Sequence, residues 1–132
     1  ETIAVGVNAS HNGEIGLRPY SKFVGENLVS SYNGTNGIET PNGSVRMVDA
    51  SLNAGTGIVG SVVASNVNAS NNTGSGMTLA SMAHEVVASD NTVRAVDAAG
   101  VGCYARIFVR TSSVVTPQVS GDPLNGTITS CP

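Results

Sequence analysis

The stretch SYNGTNGIETPNGSV, residues 31–45, holds three of the chain's five Asn-Gly dipeptides, at 33–34, 36–37 and 42–43; the others lie at 12–13 and 125–126. Asn-Gly takes positive φ at both central positions of a type I′ turn more readily than any other natural pair, so copies placed between apolar runs predict β-hairpins. On that reading the turn at Asn42-Gly43 separates Ile38–Thr40 from Val45–Val48, with Pro41 placing the first arm at a sheet edge. Upstream, Thr2 to Asn8 alternates with Ile3, Val5 and Val7 on one side, the pattern of a half-buried strand. Downstream, Gly57 to Val67 and Gly102 to Ser113 read as strands. The second pairs with Thr92–Val96 and carries Tyr104, Arg106, Phe108 and Arg110 on one face.

Two segments break the strand pattern. From Pro19 to Asn33, Tyr20, Phe23, Val24, Leu28 and Tyr32 recur at helical spacing, and Pro19 suits a first helical position. From Met77 to Ala88, Leu79, Met82, Ala83, Val86 and Val87 fit one helical face. The expected fold is therefore mainly β: one antiparallel sandwich or barrel-like domain over residues 1–132, with one or two short helices and no internal repeat of fixed length. Within it, residues 1–9 form a candidate exchanged strand and residues 103–132 a disulfide-closed C-terminal region.

Composition bounds the function. The 132 residues carry a net charge of −3, with 4% aromatic and 11% charged residues, so the surface is mostly Ser, Thr, Asn and Gly. The six Arg and Lys (Arg18, Lys22, Arg46, Arg94, Arg106 and Arg110) are scattered, which argues against nucleic acid as a partner. No apolar run is long enough to span a membrane as a helix. Cys103 and Cys131 have no further Cys or nearby His to complete a metal site, and they read as a disulfide pinning the C-terminus. Asn-X-Ser/Thr occurs at Asn8, Asn33, Asn42, Asn68, Asn71 and Asn125, which are candidate glycosylation acceptors.

Catalytic constellations are missing from the pattern. His84-Glu85 lacks the second histidine of a zinc-protease helix, and His11 stands apart. Ser75, Ser81 and Ser89 have no Gly-x-Ser-x-Gly context. The acids Asp49, Asp90, Asp97, Asp122, Glu14, Glu26, Glu39 and Glu85 are scattered, and sugar-cleaving clefts normally add aromatics that this chain has few of. Asp90-Asn91 and Asp97 lack the ligand spacing of an EF-hand. Gly55 to Gly60 matches G-x-G-x-x-G without the acidic residue that completes a dinucleotide fingerprint. The sequence thus implies no enzyme and no cofactor.

Residues 103–132, with the second cysteine almost last, resemble the end loop of bacterial type IV pilins, whose long apolar N-terminal helix has no counterpart in this sequence. That resemblance implies an α+β pilin-head fold as the alternative. The alternating strand at 2–8 resembles strand-exchange pilins, and implies that Ile3, Val5 and Val7 complete a neighbour's sheet. Together these features lead to the expectation of a non-enzymatic structural subunit of an extracellular filament or particle-surface assembly. Its partners would be copies of itself or companion subunits, at a cell or virion surface. The other reading is a small secreted carbohydrate- or surface-binding β domain that meets surface glycans through the loops 33–43 and 66–76.

Overall fold

The computed structural model describes residues 1–78, 82–97, 103–109 and 126–128, and in it the chain winds as a β-solenoid. Nine strands are present among these residues: β1 (Thr2–Val5), β2 (Phe23–Val29), β3 (Ile38–Asp49), β4 (Ile58–Asn68), β5 (Met77–Thr78), β6 (Met82–Val87), β7 (Val96–Asp97), β8 (Cys103–Val109) and β9 (Gly126–Ile128). They stack in the order β1-β2-β3-β4-β6-β8-β9, with β5 pairing β4 and β7. Every pairing is parallel except that of β8 with β9.

This overturns the antiparallel sandwich or barrel, and the pilin-head alternative with it, since the described residues contain no helix. Partners in adjacent strands are about one coil apart in sequence: Thr2 pairs with Phe23, 21 residues on, and Val63 with Met82, 19 residues on. The chain goes round a coil between paired strands instead of reversing, which is why the pairing is parallel. The Asn42-Gly43 hairpin is likewise absent. These residues lie inside β3, where the register slips between Glu39 and Asn42 and both flanking segments pair with β4. Gly43 adopts φ +150 there, and a Cβ on it would run into the Phe23 backbone.

Two columns of left-handed residues bend each coil. Gly6, Asn27, Met47, Asn66, Glu85 and Arg106 form one; His11, Tyr32, Leu52, Asn71 and Asp90 form the other, all with φ between 52 and 65. The first column explains both expected helices. In β2, Phe23 and Gly25 are buried, Asn27 turns left-handed, and Leu28 is buried next. In β6 the same device places Ala83 and Val86 inside on either side of Glu85. One left-handed residue lengthens the inward spacing from two to three, which imitates a helical period in a strand. The expected pairing of Thr92–Val96 with Gly102–Ser113 also gives way: β7 pairs with β5, while β8 pairs with β6 and β9.

The interior is built of columns. Leu28, Val48, Val67 and Val86 stack as one, and Ile38, Ile58, Met77 and Val96 as another, all buried. Beside them runs a polar spine. The backbone N–H of Asn12 donates to Asn33 Oδ1 at 3.0 Å, Asn33 to Asn53 at 3.0 Å, Asn53 to Asn72 at 2.9 Å and Asn72 to Asn91 at 2.9 Å. Each of these asparagines except Asn12 is at most 2% exposed. A buried amide satisfies both its donors and its acceptor only if every coil supplies the same residue at the same place, so the column fixes the register of the stack.

Candidate functional site

Repetition makes the outer surface a set of columns running across the coils, about 4.8 Å apart. The first coil forms one end. Thr2 donates its N–H to Lys22 at 2.8 Å and Gly6 to Glu26 at 3.0 Å, so β1 leans on β2 and has no strand on its other side among the described residues. The expected assembly strand therefore lies at an edge, but its side chains divide. Gly6, at φ +65, interrupts the alternation: Ile3 and Val5 face outward, 66% and 61% exposed, whereas Val7 packs against the core. Ala4, Val7 and Leu17, with no coil beyond them among the described residues, are only partly buried.

At the other end β9 runs antiparallel to β8, with Phe108 opposite Thr127. An antiparallel strand cannot carry the parallel register onward, so the two ends of the described stack present different edges.

Of the cysteines, Cys103 begins β8 and pairs with Met82 in register; Cys131 lies outside the described residues, and with it the proposed bridge. Among the candidate glycosylation positions, Asn8, Asn42 and Asn71 are exposed and Asn68 is half-buried, donating its Nδ2 to Asp49 Oδ1 at 3.2 Å. Asn33 is buried in the spine with its Nδ2 donated to Asn53 Oδ1 at 3.0 Å, where a glycan would have to displace the neighbouring coil. Asn125 lies outside the described residues.

Charged side chains pair across coils on the surface. Arg46 reaches Glu26 at 2.5 Å, Arg106 reaches Glu85 at 2.6 Å and Arg18 reaches Glu39 at 3.0 Å. The hydrogen bond from Arg18 to Glu39 holds its guanidinium charged above the ordinary range. His84 lies 3.9 Å from Glu85, and His11 stacks on Tyr32 with ring centroids 5.0 Å apart, so the histidines belong to different columns. Gly55, Gly57 and Gly60 of the dinucleotide-like match occupy a coil corner and β4, with no helix after them among the described residues. Asp49 accepts from Ser51 at 2.6 Å, a local bond. Among the described residues, no group of three or more His, Cys, Asp or Glu is placed to hold a metal ion.

Two surface clefts lie on the described coils. One, of about 560 Å³, runs across the left-handed column between Asn27, Met47 and Asn66 on one side and Val29, Asp49 and Asn68 on the other. The second, of about 610 Å³, lies at the opposite corner and includes Tyr20, the most exposed of the large apolar side chains at 86%. Sequence reasoning passed over the buried asparagine spine, and of this corner it singled out only the loop 33–43, which supplies Glu39, Thr40 and Pro41. The spine was signalled by Ser-x-Asn recurring at 10–12, 31–33, 51–53, 70–72 and 89–91, whereas nothing local marks the corner.

No protein-family model, curated protein or solved structure matches this chain.

Proposed function

We propose that this chain is a non-enzymatic structural subunit of an extracellular filament or particle-surface assembly, joined to a neighbour through its first coil. The observation that carries the reading is the coil-on-coil stack, in which parallel strands pass backbone hydrogen bonds from each coil to the next, with β1 at the edge of the described residues. Among the described residues the first coil bonds only to the coil after it, and its half-buried Ala4, Val7 and Leu17 are the kind of surface against which a further coil packs. Ile3 and Val5 add apolar area beside that edge. The Ser, Thr and Asn surface, low in charge, lets copies approach without strong repulsion.

Negative-stain electron microscopy of the protein purified from its native source tests this. Regular filaments or lattices are the expected result. Dispersed particles of monomer mass at every concentration would overturn the assembly reading. Replacing Ile3 and Val5 by Lys should dissolve an assembly made through this edge while leaving the circular dichroism of the coils unchanged.

A further inference from the structure

We infer that the corner cleft around Tyr20 binds a neutral oligosaccharide. The cleft draws on three successive coils: Pro19 and Tyr20 from the first, Thr40 and Pro41 from the next, Val59 and Gly60 from the third. At a coil spacing of about 4.8 Å it extends roughly 10 Å along the stack, the length of a disaccharide. Its volume of about 610 Å³ falls within the range of small-molecule sites.

The lining is divided in the way a sugar ring is divided. Tyr20 and the two prolines offer flat apolar faces for the C–H side of a pyranose, and an aromatic with a polar tip suits a ligand that is apolar on one side and hydroxylated at its rim. At the border sits a fixed polar group. Arg18 donates to Glu39 Oε1 at 3.0 Å, and Asn36 Nδ2 donates to Glu39 Oε2 at 3.1 Å. Glu39 is thereby held in place by two donors, while Arg18 keeps guanidinium N–H groups for a hydroxyl. The two charges cancel, which favours an uncharged ligand over a phosphate or a uronic acid. Gly60 is dictated by packing between coils: at φ +144, a Cβ there would strike the Thr40 backbone. Tyr20 itself, 86% exposed, contributes almost nothing to the core, so its ring is available. This site borders the assembly edge, since Pro19 and Tyr20 belong to the first coil, but the inference does not rest on that reading and would survive its failure. It also differs from the loops around 66–76, since Asn72 there is buried in the spine.

The test is an amide-resolved NMR titration of the full chain with maltohexaose, cellohexaose, N-acetylchitohexaose and a mannan hexasaccharide, and with an oligogalacturonate as the acidic comparison. The expected result is saturable shifts at Arg18, Tyr20, Thr40 and Gly60 with at least one neutral sugar. Affinity should fall roughly fivefold or more in Tyr20→Ala and stay within about twofold in Tyr20→Phe, as a stacking contribution requires. Tyr32→Ala, an exposed aromatic at a different corner, should bind as the parent does. Any of three results would overturn the inference: no neutral sugar shifting these amides, saturable binding of the oligogalacturonate alone, or Tyr20→Ala binding unchanged.

Discussion

Replacing Asn53 by Ala should be among the most damaging single changes in the chain. Its side chain makes four hydrogen bonds while 1% exposed: Oδ1 accepts from the Asn33 N–H and Asn33 Nδ2, both at 3.0 Å, and Nδ2 donates to the Ser30 carbonyl and Asn72 Oδ1, both at 3.1 Å. Alanine deletes all four and strands the Asn33 N–H without an acceptor inside the protein. One orphaned buried donor costs about 1–3 kcal/mol, and the lost bonds add about 0.5–1.5 kcal/mol each where a partner is left unpaired. Asn33 Nδ2 keeps Ser30 Oγ at 3.4 Å and Asn72 Oδ1 keeps the Asn53 N–H at 2.9 Å, which limits the total to about 3–5 kcal/mol. Urea unfolding followed by far-ultraviolet circular dichroism reads this directly. With a slope of about 1–3 kcal/mol per molar for small proteins, the midpoint should drop by roughly 2 M. Asn12→Ala supplies the comparison, because Asn12 lies exposed at the end of the same spine and bonds only Ala9 O and Asn33 Oδ1 through Nδ2. An Asn53→Ala midpoint no lower than that of Asn12→Ala would refute the reasoning that the buried spine holds the coils in register.

Other changes separate the remaining contributions. Asn53→Asp replaces a donor pair by a carboxylate facing the Ser30 carbonyl and Asn72 Oδ1, so its pKa in the folded state is raised. The variant should come nearest the parent below the unfolded carboxyl value of about 3.9 and fall progressively behind as pH rises, measured as the midpoint difference between pH 3.5 and 7. Gly57→Ala should cost about 1–3 kcal/mol, since a Cβ would lie 2.6 Å from both the Ala50 and Gly76 carbonyl oxygens, whereas Gly13→Ala, with open space around it, should be close to neutral by the same unfolding assay. Met47→Asn should raise the thermal midpoint, because asparagine tolerates the left-handed φ of 52 better than methionine, and Met47→Val should lower it. Arg106→Ala, which removes an exposed partner of Glu85, should change stability by less than about 1 kcal/mol.

The β character of the chain and its small aliphatic core were legible in composition. What failed was the inference from turn to hairpin. None of the asparagines at 12, 33, 36 and 42 takes positive φ, Asn42-Gly43 lies inside β3, and only long-range partners say whether a chain doubles back or continues round. Those partners were present as a recurrence: Ser10, Ser31, Ser51, Ser70 and Ser89 each precede an asparagine by two residues, and Gly16, Gly37, Gly57 and Gly76 follow four residues after it. Coil lengths of 19 to 21 residues blur that repeat for any search at a fixed period. The helix assignments failed for a narrower reason, since a left-handed residue in mid-strand, such as Asn27 or Glu85, is invisible to a period count. The Tyr20 cleft could not be read from sequence because its walls come from three coils, brought together only by the winding.

The stacking of coils on the asparagine spine is most directly tested by through-hydrogen-bond scalar coupling in a long-range HNCO spectrum of isotope-labelled protein. The account predicts correlations from the backbone nitrogens of Asn12, Asn33, Asn53 and Asn72 to the side-chain carbonyl carbons of Asn33, Asn53, Asn72 and Asn91 respectively. Correlations that instead connect residues across Asn33-Gly34 or Asn42-Gly43 in a hairpin register would contradict it.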